Sequence, residues 1–511
     1  MKVADNLYRR RVLWLIVLMG AVRLLLAFTT ELGNDEAYYW LYAQHLKWNY
    51  FDHPPMIGLW IRAFTLNLWL DDFPGFIRLG SVASCCGATW FMYKCVRVLS
   101  NERAGWFAAL LYNGFFYTGV IAGVFAFPDA PQMFFWTASL YALALLTKNE
   151  TQRKYWVLFG IVCGLCIMSK VHGVFLWMGM GCYVVFYKRK WLANANLYIA
   201  IAISIAICLP ILFWNIENDF ITYRFNGPRI NIDNAAFNLH SLLHEINAQA
   251  LGNNPLCFLL IILGIVAVAK KKMVRQPALT IFNFAGILQA GLLLLIATHK
   301  DTLPHWSGPA YVSLIPVGAV YLDSIKTTYA PLLAKLCVAI HLCALVCCAG
   351  LVHFYPGNIG VQKGKLVGYG DKTLDLYGWQ QAGKEFDSVY ATYIADKKVP
   401  ANTPMISNGW WAAHIEYYFC KPEHINMIGL GSIMNLHEYA WMNTMRKDSV
   451  NMEDAFCIVP SNGYYNVHKV YSSYYTNMDS IAGINILRGN KPAHNFYLYH
   501  MHGWIGDMPM K

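Results

Sequence analysis

Apolar runs separated by short polar segments fill the chain from its N-terminus to Phe354, and that pattern stops at Pro356. Runs of about twenty apolar residues are what a helix needs to cross a hydrocarbon core. The first, Val12–Phe28, follows Lys2, Arg9, Arg10 and Arg11, which places the N-terminus in the cytoplasm. The second, Phe73–Val98, returns to Lys94, Arg97 and Arg103. A third, Gly105–Val124, goes out to Phe125–Pro131, and a fourth comes back to Lys148, Arg153 and Lys154. Tyr155–Tyr187 is too long for one span, and both its flanks are basic. An even number of crossings is therefore expected: a hairpin of two short helices with its apex at Ser169-Lys170-Val171-His172-Gly173.

Leu197–Trp214 leads to an outer loop, and the next span ends in Lys270-Lys271-Lys272. Ala278–Thr298, Tyr311–Leu322 and Leu332–Phe354 complete about eleven crossings, with the C-terminus outside. Arg23 within the first run, and the lack of a small-residue cleavage site, fit a retained anchor. The first loop departs from the pattern. Asn34 can cap a helix whose first turn carries Asp35 and Glu36, where the helix dipole favours anions. The aromatic stretch Ala37–Leu46 suits a helix lying in the interface. Asp52 and His53 precede Pro54-Pro55, which forces an extended entry into a second interfacial helix within Met56–Trp69. After Pro356 come turn signals, a helix-like Trp410–Phe419, and β-like runs at Phe456–Val459 and Ile484–Leu487. The expected organisation is a membrane domain over 1–355 and an extracytoplasmic α/β domain over 356–511.

Composition supports this reading: 57% of the 511 residues are hydrophobic and only 14% charged. The net charge of +11 would invite nucleic acid as a partner, but the basic residues sit in short clusters between apolar runs, so that partner is excluded. Most cysteines lie inside apolar runs as small packing residues. Cys420 and Cys457 fall in the polar C-terminal part, where a disulfide would form if they were close.

The unusual ionisable residues gather on the predicted outer side. Asp35, Glu36, Asp52 and His53 come from the first loop and Asp129 from the second. Lys170 and His172 sit at the hairpin apex, Arg224 and Arg229 in the long loop, and Lys300, Asp301 and His305 before Tyr311. A charge at the depth of Lys170 is costly unless it has a partner or a function. Carboxylates beside Lys, Arg and His suit a reaction that ionises a hydroxyl and releases a phosphate. An external site fits a donor already carried across the membrane on a lipid, such as a polyprenyl phosphate. The chain has no G-x-x-x-x-G-K-[ST] loop, no strand-linked G-x-G-x-x-G and no G-x-S-x-G elbow.

Several segments carry a resemblance. D-E-A-Y-Y-W and F-D-H-P-P-M resemble the first external loop of the protein O-mannosyltransferase and lipid A aminoarabinose transferase group, which are GT-C glycosyltransferases. F-P-D-A-P-Q-M-F-F-W, M-S-K-V-H-G-V-F-L, W-N-I-E-N-D-F-I-T-Y-R-F and L-P-H-W-S-G-P-A-Y follow in the family's order. The resemblance implies an inverting sugar transfer from a polyprenyl-phosphate donor to a hydroxyl of a lipid, glycan or protein, at the outer face of the inner membrane. It makes Asp35 the catalytic base, Glu36 its assistant and Asp129 a second acidic position of the site. His53, Lys170 and Arg224 would bind the donor phosphate; Asp52, His172 and His305 are further candidates. The aminoarabinose transferases carry a lysine where this chain has His53, so Lys170 would bear more of the phosphate charge. Some members of the group use a divalent metal and others none, so the metal stays open. Two rival readings remain: a flippase for a lipid-linked sugar, which calls for inverted repeats and midplane charges, and a polymerase or ligase using a lipid-diphosphate glycan.

Overall fold

A computed structural model describes residues 2–233, 235–270, 276–325 and 328–511, with side chains from Asn6 onward. Lys271 and Lys272 of the predicted basic cluster lie outside the described residues. The chain divides into two compact units: Met1–Phe28 with Tyr42–Leu345, and Thr29–Leu41 with Val346–Lys511. The second unit thus starts at Val346, earlier than the expected boundary after residue 355, and takes in the start of the first loop.

The first unit is helical. Helix α1 spans Lys2–Thr29, and α2 (Asn34–Gln44) crosses the division between units. Then come α3 (Met56–Phe64), α4 (Pro74–Leu99), α5 (Glu102–Gly114) and α6 (Asp129–Lys148). Helices α7 (Arg153–Ser169) and α8 (Val174–Tyr187) meet at a short 3₁₀ turn over Val171–Gly173, the hairpin read from the basic flanks. There follow α9 (Ala195–Glu217), α10 (Ile221–Ile230), α11 (Leu239–Leu251), α12 (Pro255–Ala269), α13 (Pro277–Ala297), α14 (Gly308–Ser324) and α15 (Ala330–Phe354).

Among the described residues four helices are by themselves long and apolar enough to cross a membrane: α1 from Asn6, α9, α13 and α15. A fifth span is added if α11 and α12, bent by 94°, count as one. Helix α4 has the length but carries Arg78, Lys94 and Arg97 and several Ser and Gly, which lowers its hydropathy. The expected count of eleven crossings is therefore larger than the number of helices that qualify on length and composition alone.

Small residues allow close helix packing. A Cβ on Gly160 would lie 2.6 Å from the Ala200 carbonyl, and one on Gly179 2.7 Å from the Ile281 carbonyl, so α7–α9 and α8–α13 approach backbone to backbone. The third predicted span is broken: α5 stops at Gly114, and Tyr117–Ile121 forms a π-helical turn. Buried Arg23 of α1 supports that turn, donating from Nη2 to Asn113 Oδ1 at 3.0 Å and from Nε to the Gly119 carbonyl at 3.4 Å.

In the second unit a five-stranded sheet runs in the order β2-β1-β3-β5-β4. Its strands are β1 (Met405–Ser407), β2 (Met427–Gly429), β3 (Asp454–Pro460), β4 (Tyr475–Arg488) and β5 (Lys491–Trp504). β1 is parallel to β2 and β3, whereas β5 runs antiparallel to β3 and β4. Gly489 and Asn490, both at positive φ, close the β4–β5 hairpin, the backbone that a two-residue turn of right-twisted strands requires. Helix α16 (Trp379–Ala395) lies beside the sheet, and buried Phe386 packs on Phe456 of β3. Arg488 is fully buried and paired with Asp371 at 3.0 Å, and it also donates to the carbonyls of Gly357 and Val352. The predicted helix Trp410–Phe419 is a short α-turn, Ala412–Ile415, followed by a π-turn over Glu416–Cys420. Cys420 and Cys457 are both buried free thiols, so the conditional disulfide does not form; Cys457 instead contacts the Tyr465 hydroxyl.

Candidate functional site

Asp129 opens α6 and Lys170 follows the end of α7. The two helices pack antiparallel, so these ends meet. Lys170 Nζ donates to both Asp129 oxygens, at 3.0 and 2.8 Å, and the Tyr117 hydroxyl donates to Oδ1 at 2.7 Å. Asp129 is 2% exposed and Lys170 5%. Gly308 makes room for Tyr117, since a Cβ there would lie 2.4 Å from the phenol ring. The sequence signalled Asp129 and Lys170 as separate groups, but not their bidentate pairing and not Tyr117, which sits on the π-turn.

Three imidazoles lie close enough to this pair to feel its charges: His53, His172 and His305. Burial, then the Lys170 charge, pushes His172 down to about 3 and His305 down to about 4. His53 is also lowered, by burial that outweighs the attraction of Asp52. All three are therefore neutral near pH 7.

Helix α10 holds the loop that carries His53. Thr222 Oγ1 donates to the Tyr50 carbonyl at 3.2 Å, and Phe225 packs on Phe51 with ring centroids 4.7 Å apart. Asp52 accepts from the Tyr42 hydroxyl. Arg229, stacked over Phe225 at 4.2 Å, is near enough to act on His53. Arg224 is exposed on the same helix. A second buried polar set supports the segment before α14: Glu245 accepts from Thr302 Oγ1 at 2.6 Å and Gln249 Nε2 at 2.8 Å, and Gln249 accepts from the Tyr311 hydroxyl at 2.7 Å.

Asp35 and Glu36 belong to the second unit, in the first turn of α2. Fully buried Glu36 accepts from the Gly33 amide at 2.9 Å, as a capping-box residue does. Asp375, which the sequence did not single out, accepts from the Asn34 amide at 3.3 Å with each oxygen. Among the described residues no group of three or more His, Cys, Asp or Glu is arranged to hold a metal.

The model for dolichyl-phosphate-mannose-protein mannosyltransferases matches residues 52–214, a span that contains Asp52, His53, Asp129, Lys170 and His172. The chain is 26% identical over 297 residues to the lipid A galacturonosyltransferase RgtD of Rhizobium johnstonii, an alignment covering 57% of this chain. It spans 61% of that relative's length. Among solved structures the fold matches ArnT from Cupriavidus metallidurans. The apo form gives a TM-score of 0.62 and the form bound to undecaprenyl phosphate 0.63, both at 13% identity. These matches cover 96% and 95% of this chain, and 97% of ArnT in each case. The chain therefore has the GT-C membrane fold, and it resembles the ArnT and protein mannosyltransferase group.

Proposed function

We propose that this protein is a membrane glycosyltransferase that moves a sugar from a polyprenyl-phosphate donor to an acceptor hydroxyl at the extracytoplasmic face of the inner membrane. The observation that carries the reading is the buried Lys170–Asp129–Tyr117 group, with neutral His53, His172 and His305 nearby, in a chain with the ArnT fold. Its likeness to RgtD and to the mannosyltransferase model points to the same chemistry.

In the proposed reaction the acceptor oxygen attacks the sugar C1 as Asp35 takes the hydroxyl proton. The C1–O bond to phosphate breaks, and its electron pair stays on the phosphate oxygen. The products are the glycoside, with inverted anomeric configuration, and polyprenyl phosphate. An ammonium has three protons, and Asp129 accepts at most two from Lys170, which leaves one to donate to the phosphate. Asp129 thus serves as counter-ion and orienting group for Lys170. His53 offers the phosphate a neutral hydrogen bond, and Arg229, whose charge acts on His53, joins Arg224 as a candidate to hold the phosphate.

The test is incubation of the purified protein with labelled polyprenyl-phosphate sugars and candidate acceptors. The proposal expects transfer of label to a hydroxyl, with inversion at C1 and release of polyprenyl phosphate. Movement of intact donor between leaflets without cleavage would replace it with the flippase reading. Consumption of lipid diphosphates alone would replace it with the polymerase or ligase reading.

A further inference from the structure

The four residues that precede Asp35 are each held by groups from the C-terminal part of the second unit, apart from the local bond of Gly33. Glu31 accepts the amides of Trp379 at 2.7 Å and Gln380 at 3.3 Å, so its carboxylate lies on the N-terminus of α16. Buried Leu32 has both backbone groups satisfied by side chains: its N–H donates to the Tyr418 hydroxyl oxygen at 2.6 Å, and its carbonyl accepts from His414 Nε2 at 2.7 Å. Gly33 donates to Glu36, and a Cβ on it would lie 2.7 Å from Asp375, so only glycine lets that carboxylate approach. The Asn34 amide donates to Asp375. Beyond Asp35, Tyr38 accepts from the Glu438 amide at 3.3 Å, and Trp40 packs edge-on against Tyr417.

His414 is itself fixed. A carbonyl only accepts, so Nε2 carries the proton and Nδ1 is bare. The ring is fully buried, stacks on Trp379 with centroids 3.7 Å apart, and has Nδ1 3.9 Å from Asp375 Oδ1. One side chain therefore joins two of these anchors: it bonds Leu32 directly and stacks on Trp379, whose amide caps Glu31, while its bare Nδ1 faces Asp375 at 3.9 Å without a hydrogen bond. Ordinary capping would satisfy the first amides of α2 and leave Glu31 and Leu32 to water.

We propose that the C-terminal domain acts as a clamp that positions Asp35, with His414 and Tyr418 as its positioning residues. This rests on the reading of Asp35 as the base. A carboxylate that must meet a hydroxyl proton within hydrogen-bond reach is sensitive to displacements of about 1 Å, which cost on the order of 100-fold in rate. The clamp gives the C-terminal domain a role in the chemical step.

The test compares His414→Ala, Tyr418→Phe and His414→Gln in full-length protein, with kcat measured per folded molecule. The clamp predicts that kcat falls by about tenfold or more in the first two, with KM for the donor nearly unchanged. His414→Gln, whose amide can still donate to the Leu32 carbonyl, should recover most of the loss. Hydrogen exchange of the peptide covering 30–41 should rise in His414→Ala and Tyr418→Phe while β3 and β5 stay protected. Unchanged kcat or unchanged exchange in both variants would overturn the proposal. The two assignments separate cleanly. Wild-type turnover by Asp35→Asn removes the base, whereas an inactive Asp35→Asn beside a fully active His414→Ala removes the clamp.

Discussion

Asp129 and Asp35 are the two carboxylates the proposed reaction depends on, and the protein holds them by different physics. Asp129, in the apolar first unit, is 2% exposed and is fixed by charge, with Lys170 at 2.8 and 3.0 Å. Asp35, in the second unit, is half-buried at the start of α2. Its backbone is located by neutral hydrogen bonds and carboxylate caps on the residues before it. A group paired with a cation in a low-dielectric interior is held ionised but is poorly placed to take a proton. A partly exposed carboxylate on a located backbone stays within reach of a substrate. In the proposed reaction Asp129 orients Lys170 and Asp35 takes the proton.

The sharpest way to break that assignment is to exchange the consequences of the two substitutions. A general base contributes about 100- to 10,000-fold to rate, so Asp35→Asn should lose that much turnover with an unchanged melting temperature. Asp129→Asn should instead lose stability along with activity. A buried ion pair that loses one partner costs about 3–5 kcal/mol, whereas replacing both with apolar residues is often neutral. Lys170→Met alone should therefore unfold at distinctly lower temperature, and Lys170→Met with Asp129→Leu should recover most of the stability but none of the turnover. Thermal unfolding in detergent and transfer assays on the same preparations check both.

A smaller effect sharpens the second region. Burial raises Glu31 from 4.5 to about 7 against the pull of the Trp379 and Gln380 amides. Between those values the folded protein binds a proton that the unfolded chain releases, so this contribution is present at low pH and is lost as pH rises through about 7. Wild type should lose stability relative to Glu31→Gln between pH 5 and pH 8; a gain would show that the helix N-terminus holds Glu31 ionised. His414 and His494, both pushed down to about 3 by burial, act in the opposite direction. The unfolded chain takes up their protons below about 6.5, so their contribution is lost as pH falls from there towards 3. The smallest expected effect concerns Cys420 and Cys457, which are free. Dithiothreitol should leave the melting temperature unchanged, and both thiols should alkylate only after unfolding.

Periodicity and flanking charge made parts of this molecule legible. The hairpin apex at Ser169–Gly173 follows from basic residues on both sides of a run too long for one helix. Asp35 and Glu36 do occupy a first helical turn, and Phe456–Val459 lies inside β3. The break after Gly114 was not legible, because a π-turn keeps the apolar composition of the helix it interrupts. The ties from Leu32 to His414 and Tyr418 were equally hidden, since they join residues 382 and 386 positions apart and leave no local pattern. The pairing of Lys170 with Asp129 fell between these cases. The cost of a buried charge announced that Lys170 needs a partner or a function, but only packing of α6 on α7 selects Asp129.

The central claim, that Asp35 removes the proton, is tested most directly by single-turnover sugar transfer with purified Asp35→Asn protein, matched to wild type in folded amount. The account predicts a rate at or below about one hundredth of wild type with donor binding retained. A rate within a few-fold of wild type would contradict it.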